Sequence, residues 1–239
     1  LKTPNAGIRT LRTTSDDPDL HTDVYSPALS GRRVLYPVAT FTNNAVVQSN
    51  QLFDDVTGQT TTVSSTPSAA LWGNYLVTLD SQSGAIIRKD LSTGQTTPIY
   101  TIPHASGDTM FGNLEAWGNT VAWSVFVCGT DCNDTPVSGY LTVAPGSSPG
   151  APTSVPASSA PVLSSGYIAY LADIPDPTLI ALPLSGGSPI NVTTTPCANS
   201  RSDAYSLDAS TVGWLDCASH VDASSGTPEV APLPHVANP

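Results

Sequence analysis

The sequence has few charged side chains and very few basic ones. Asp, Glu, Lys and Arg make up 11% of the 239 residues, against roughly 25% in ordinary soluble domains. The 8 basic residues are outnumbered by 19 acidic ones, which gives a net charge of −11. A surface of this sign repels nucleic-acid phosphates and anionic lipid headgroups. We therefore expect no nucleic-acid partner.

Long hydrophobic runs and helical patterns are also missing. No stretch approaches the roughly 18 apolar residues that a membrane-spanning helix needs, so membrane insertion is not expected. No 3.6-residue apolar period persists, because Pro, Gly and β-branched residues interrupt the chain every few positions. Hydrophobic residues nevertheless make up 39% of the chain, enough to form a core. The sequence predicts an all-β protein.

A short β motif recurs five times along the chain. Each copy has an apolar run, a Gly or polar turn, and a strand that ends in an aromatic residue or Thr. The strands end at Tyr36, Thr78, Trp123, Tyr170 and Trp214, which lie 42, 45, 47 and 44 residues apart. A repeat of forty-odd residues with alternating β pattern has the length of a β-propeller blade.

A second hairpin follows the motif in the first four copies. Its Gly turn is clearest in residues 55–61 and 90–97 and weaker in 143–146 and 183–187. The sequence therefore predicts one domain over residues 1–239, a five-bladed β-propeller with four antiparallel strands, A to D, per blade. The blades are predicted at about 24–65, 66–105, 110–156, 157–195 and 200–239.

The last predicted blade is one strand short. After Trp214 the chain holds one further strand, at about 229–236, whereas residues 6–13 alternate like a strand but belong to no blade. A ring is stabilised when one terminus completes the blade begun by the other, because no free strand edge remains. We expect such a 3+1 velcro closure by residues 6–13. A fragment of a larger ring is the alternative.

Two segments resemble the repeat of TolB-like and surface-layer type extracellular β-propellers. The start of that repeat matches Ser26-Pro27-Ala28-Leu29-Ser30-Gly31, and its end matches Ile87-Arg88-Lys89-Asp90-Leu91-Ser92-Thr93-Gly94. The first two blades match well and the other three only in their first halves. The resemblance implies a propeller fold in a secreted or cell-surface protein, but it implies no particular activity.

Four cysteines, an even number, point to two disulfides in an exported protein. Cys128 and Cys132 lie in one B–C connection, whereas Cys197 and Cys217 flank the start of the fifth blade on the same rim. This arrangement favours Cys128–Cys132 and Cys197–Cys217 pairs. A zinc site of all four cysteines is disfavoured, because only one closely spaced pair exists.

Acidic residues recur shortly after strand B in three blades, at Asp80, Asp173 and Asp216. Carboxylates around one rim can coordinate Ca²⁺, or act as an acid and nucleophile pair on a sugar. The competing interpretation is structural, because Asp at such positions caps turns through its own backbone. The D–A and B–C connections form the same predicted top rim, which also carries His104, Asp108, His220 and Asp222.

Two further motifs have structural interpretations. Residues 146–150 match the G-x-S-x-G pattern of serine hydrolases, but Pro149 lacks the backbone N–H that the oxyanion needs, so a turn between strands C and D is expected. Trp72 and Trp117 precede the A–B turns of neighbouring blades. We expect them to pack between blades, with sugar stacking as the alternative.

No catalytic constellation emerges from these residues. The sequence therefore favours an exported, non-enzymatic propeller that serves as a protein-interaction or assembly module, without a cofactor unless the top rim binds Ca²⁺. The alternatives are a carbohydrate-binding propeller, with the glycan as partner, or a glycan-active hydrolase or lyase with its site on the top rim. Repeated sugar sites require similar loops, whereas these loops differ in length and composition. The oligomeric state is not predicted.

Overall fold

The computed structural model describes residues 22–24, 27–42, 45–65, 68–129, 136–144, 147–172, 177–194, 196, 205–208, 210–217 and 226–235. In this part of the chain the regular elements are twenty strands arranged in five antiparallel sheets, and no α-helix occurs. None of these residues belongs to a helix long and apolar enough to cross a membrane. The chain divides into two compact units, Leu1–Pro67 and Ser68–Pro239.

The first unit contains the first sheet. Its strands are β1 (Thr22–Val24), β2 (Ala28–Ser30), β3 (Arg33–Thr42), β4 (Ala45–Asp54) and β5 (Gln59–Ser64). Both β1 and β2 pair with the same side of β3, so the predicted strand A is divided in two. Pro27 lies between them and has no N–H for strand pairing. Tyr36, Val38 and Phe53 form the core of this unit.

The second unit contains four sheets that follow one another along the chain. The second sheet comprises β6 (Ala69–Trp72), β7 (Tyr75–Leu79), β8 (Ala85–Asp90) and β9 (Thr96–Thr101). The third comprises β10 (Thr109–Trp117), β11 (Thr120–Cys128), β12 (Val137–Thr142) and β13 (Thr153–Ser154). The fourth comprises β14 (Val162–Leu163), β15 (Tyr167–Ala172), β16 (Thr178–Pro183) and β17 (Ile190–Thr193). Each is a meander of antiparallel strands, as the repeat predicts.

The fifth sheet has three strands among the described residues: β18 (Tyr205–Leu207), β19 (Thr211–Asp216) and β20 (Thr227–Pro232). The last strand begins and ends earlier than the predicted 229–236. Pro232 and Pro234 explain its end, because neither has an N–H to continue the ladder. Residues 6–13, the predicted closing strand, lie outside the described residues.

Apolar side chains fill the space between successive sheets of the second unit. Leu79 and Val125 belong to the cluster shared by the second and third sheets, and Ile168 to that of the third and fourth. Leu179 and Val212 join the fourth and fifth sheets. Each such side chain is at most 2% exposed, and burying it contributes about 1.5–3 kcal/mol.

Tight turns join the first two strands of several sheets. In the second and third sheets these turns are Gly73-Asn74 and Gly118-Asn119, and the glycines have φ of +56° and +57°. Two-residue hairpin loops require this left-handed conformation, which Gly adopts without a steric penalty. We call the edge of the sheets that carries these two turns the lower edge.

Candidate functional site

Three connections meet at the opposite edge of the second and third sheets, which we call the upper edge: residues 80–84, 102–108 and 128–129. The amide of Met110 donates to the carbonyl of Ser81 at 2.9 Å. A Cβ built on Gly84 would lie 3.1 Å from Nδ1 of His104, and one on Gly129 would lie 2.6 Å from Oδ1 of Asp108. The structure thus brings together the connections that contain the candidate residues Asp80, His104 and Asp108.

Asp80 is engaged by its own turn. Its Oδ1 accepts from the amide of Gln82 at 3.0 Å, and its Oδ2 accepts from Oγ of Ser83 at 2.6 Å. The hydrogen bonds from Ser83 and Gln82 hold the pKa of Asp80 below its usual value, so the carboxylate stays ionised. This geometry agrees with the interpretation that Asp80 caps its own turn, whereas ligand binding by Asp80 stays a prediction.

The same turn occurs twice more. Oδ1 of Asp54 accepts from the amides of Val56 and Thr57, and Oδ1 of Asp90 accepts from those of Ser92 and Thr93. In all three turns the pattern is Asp-x-x-Ser/Thr-Gly, and the final Gly has a positive φ. The sequence analysis identified this turn only between strands C and D, although residues 80–84 contain the same signal.

The other described candidates also make local contacts. Nδ1 of His104 donates to the carbonyl of Ile102 at 2.9 Å, and Oδ2 of Asp108 accepts from the amide of Ala105 at 2.9 Å. Asp216 ends β19, where it pairs with Thr227 and forms an isolated bridge with Pro196. Asp173, His220 and Asp222 lie outside the described residues. Within the described ranges, no three His, Cys, Asp or Glu side chains are grouped as metal ligands.

An aromatic pair, which the sequence analysis missed, lies close to these residues. Phe111 of β10 faces Phe126 of β11 across the strand pair, and their ring centroids are 5.5 Å apart. Phe111 is 48% exposed. We call these two side chains the Phe111 patch. Only the strand register reveals the pair, because the two residues are 15 positions apart in sequence.

Cys128 ends β11 and Cys217 directly follows β19, and neither is a free thiol. Cys128 pairs with Thr109 in the strand register, two positions from Phe111. Cys132 and Cys197, the other two cysteines, lie outside the described residues. The described cysteines therefore do not offer a reactive nucleophile.

The tryptophan prediction is confirmed. The rings of Trp72 and Trp117 pack against each other between the second and third sheets, with centroids 4.0 Å apart and planes tilted by 34°. The described part of the G-x-S-x-G segment, residues 147–150, also lies where it was expected, on the connection between β12 and β13. This connection is longer than a tight turn, because Pro149 and Pro152 cannot donate to a strand ladder.

Glu115 is a partly buried titratable group that the sequence analysis did not single out. It lies in β10, and burial raises the pKa of its carboxyl to about 7. Burial raises the pKa of the Tyr205 hydroxyl on β18 to about 12. The negative charge of Glu115 adds to this increase. Its position in an apolar strand gave no sequence signal beyond an isolated acidic residue.

Comparisons with known proteins match the fold but not the sequence. No protein-family model matches the chain, and no curated protein does. Among solved structures, TolB from Acinetobacter baumannii is 16% identical, with a TM-score of 0.52 over 88% of this chain. The β-propeller domain of the Trilobed protease from Pyrococcus furiosus is 10% identical, with a TM-score of 0.55 over 87% of this chain.

A third similar structure is the acylaminoacyl peptidase of Pyrococcus horikoshii, at 9% identity and a TM-score of 0.51 over 80% of this chain. The chain spans 52% of the TolB chain, 67% of the Trilobed protease domain and 35% of the peptidase. Such low identities carry no information on activity. They show the fold alone: it is a β-propeller, similar in fold to that of TolB.

Proposed function

We propose that the protein is an exported, non-enzymatic β-propeller that binds a protein partner through the upper edge of its third sheet. The observation that carries this proposal is the Phe111 patch. Nearly half of the Phe111 side chain is exposed while its ring stacks on Phe126. Aromatic side chains of this kind are enriched at the centres of protein interfaces, where few residues supply most of the binding energy.

The surroundings of the patch support a protein partner. Its two strands are held in a nine-residue ladder, from Thr109 opposite Cys128 to Trp117 opposite Thr120, so the rings are presented by a rigid element. A rigid element loses little conformational entropy on binding. The net charge of −11 favours a partner with a basic surface, because opposite charges accelerate association.

Replacing Phe111 with Ser is expected to weaken partner binding by at least about tenfold, as truncation of an interface anchor does. Immobilised protein is used to recover partners from the extracellular fraction of its source, and affinities are then measured for each purified partner. Val230→Ser is the matched control, because Val230 is 72% exposed on β20. Equal affinities of the Phe111→Ser and Val230→Ser variants would contradict the proposal.

Export and disulfides belong to the same proposal. We propose Cys128–Cys132 and Cys197–Cys217 pairs, and the bridge between Pro196 and Asp216 supports the second, since it places the residues before Cys197 and Cys217 opposite each other. The intact mass without reductant is expected to be four hydrogens below that of the reduced chain. Four thiols that react with iodoacetamide in the untreated protein would contradict this.

A five-bladed ring closed by residues 6–13 is also part of the proposal. The three-stranded fifth sheet in the described residues supports it, because a fourth strand would cover the free edge of that sheet. Deleting residues 1–12 is expected to lower the Tm by several degrees, measured by circular dichroism. The propeller of the Trilobed protease is described as having an open velcro topology, and an unchanged Tm would mean that this chain is not closed by residues 6–13 either.

A glycan array, run with and without EDTA, tests the alternative partner class. The proposal predicts no specific sugar binding at the upper edge. Binding that is lost in EDTA and in an Asp80→Asn variant would instead assign the upper edge to a Ca²⁺-dependent carbohydrate site. Asp55→Asn is the control, because Asp55 lies in the first sheet and pairs with Arg32 at 2.9 Å.

A further inference from the structure

A cleft of about 420 Å³ opens at the lower edge between the second and third sheets. The second sheet contributes Tyr75, Arg88, Asp90 and Gln95, and the connection after β12 contributes Ser147 and Ser148. We call it the Arg88 cleft. Its lining combines a cation, an anion, an amide and hydroxyls, which are the kinds of polar group that orient a ligand.

Arg88 is fixed in this cleft by neutral groups. Its Nη1 donates to the carbonyl of Val143 at 2.7 Å, and its guanidinium lies 4.8 Å from the centre of the Tyr75 ring. No carboxylate of the described residues lies within ion-pair distance of it. Arg32 and Arg33 differ, because they pair with Asp55 and Asp54 at 2.9 and 3.1 Å.

Arg88 thus has a half-buried guanidinium with no acidic partner in the described part of the chain, and such a group can bind an external anion. Its remaining N–H groups match a carboxylate, which arginine binds through two parallel hydrogen bonds. The stacking on Tyr75 and the bond to Val143 restrict the side chain in advance, so little of its rotamer entropy is lost when a ligand binds. The serine hydroxyls of residues 147 and 148 provide further donors at the same cleft.

Asp90 also lines the cleft and restricts which ligand groups can lie beside it. Its Oδ1 is engaged by the amides of Ser92 and Thr93 and by Oγ of Ser92, and these bonds hold its pKa low, so it stays ionised. A ligand beside Asp90 must therefore present hydrogen-bond donors there rather than a second negative charge. We propose that the Arg88 cleft binds a hydroxylated monocarboxylate such as a sugar acid, with the carboxylate on Arg88 and hydroxyls toward Asp90.

The neighbouring pair of sheets provides an internal comparison. A cleft of about 280 Å³ lies at the lower edge between the third and fourth sheets, lined by residues that include Trp117, Asn119, Thr142 and Ser164. No charged side chain lines it. The charged pair that selects the ligand is therefore a feature of the Arg88 cleft and not of every space between sheets.

The test is a titration of the ¹⁵N-labelled full chain, followed by NMR at pH 7 and constant ionic strength, with sodium D-glucuronate as the probe. Sodium acetate and methyl β-D-glucoside present the carboxylate and the hydroxyls separately. We expect a millimolar Kd for glucuronate, with shifts of the amides of residues 88–97, 147 and 148, and weaker binding of both partial ligands. Arg88→Met is expected to weaken glucuronate binding at least about tenfold.

Arg32→Met is the matched control, because it removes the same charge from an exposed arginine outside the cleft. Its Kd for glucuronate is expected to equal that of the unmodified protein, and circular dichroism verifies that both variants are folded. The proposal is overturned by the absence of saturable shifts with glucuronate, by an unchanged Kd in Arg88→Met, or by glucoside binding as tight as glucuronate binding. None of these results bears on partner binding at the Phe111 patch.

Discussion

Replacing Gly112 with Ala is expected to lower the free energy of unfolding by about 3 kcal/mol, the upper range for an overpacked site. Gly112 lies opposite Val125 in the ladder of β10 and β11. A Cβ at this position would lie 2.1 Å from the carbonyl oxygen of Ser124 and 2.7 Å from Cα of Val125. These are backbone atoms of a buried strand, so they cannot rotate away as a side chain would.

The strand that carries Gly112 is also held from its other side. Oγ of Ser68, a buried residue, donates to the carbonyl of Gly112 at 2.5 Å. The strand therefore cannot move outward without losing this hydrogen bond, and a buried group left unpaired costs about 1–3 kcal/mol. Urea unfolding, monitored by tryptophan fluorescence, measures the change.

Gly213→Ala is the matched control for Gly112→Ala. Gly213 is also a strand glycine, in β19, but a Cβ there would first meet Oγ of Ser206 at 3.3 Å, which is the end of a flexible side chain. Its effect is expected to stay below about 1 kcal/mol. Equal losses of unfolding free energy in both variants would contradict a steric clash between a Cβ at residue 112 and the backbone of β11.

Replacing Glu115 with Gln is expected to stabilise the protein by about 2 kcal/mol at pH 8, because one pKa unit corresponds to about 1.4 kcal/mol and the side chain keeps some contact with solvent. The folded protein keeps the proton on Glu115 up to a pH of about 7, whereas the unfolded chain releases it near 4.5. The folded state thus binds more protons between these values, so stability falls as the pH rises from about 4.5 to about 7.

The pH dependence of unfolding separates Glu115 from the turn carboxylates. Hydrogen bonds lower the pKa of Asp80 in the folded state, so its contribution is present above its unfolded pKa and is lost as the pH falls through its folded pKa. Glu229→Gln is the control for net charge, because Glu229 is exposed on β20. Glu115→Gln is expected to flatten the stability profile between pH 4.5 and 7. If Glu229→Gln flattens it equally, then the fall in stability is caused by general charge repulsion and not by burial of Glu115.

The sheets were predictable from the sequence because their signals are local. The alternating runs around Tyr36, Thr78, Trp123, Tyr170 and Trp214 fall in separate sheets, and all except Thr78 are large aromatic residues that mark a strand without any alignment. The division of strand A in the first sheet and the length of the connection after β12 were missed. Both depend on where proline interrupts strand pairing, which a repeat period does not specify.

The candidate sites were less predictable, because they depend on contacts between distant residues. Asp80 was selected from its position after a strand, while the hydrogen bonds from Gln82 and Ser83 are those of a local turn pattern. Phe111 and Phe126 become a pair only through the register of β10 and β11. Arg88 and Val143 are 55 positions apart in sequence, and no short-range pattern relates them.

Hydrogen–deuterium exchange of the protein with and without its recovered partner tests partner binding at the upper edge most directly. Binding at the Phe111 patch predicts slower exchange of amides in residues 102–112 and 125–129 on complex formation, with exchange in residues 59–64 of the first sheet unchanged. The same footprint is expected to be absent from mixtures with the Phe111→Ser variant. Slower exchange confined to the lower edge, at residues 91–95 or 147–150, would contradict binding at the upper edge.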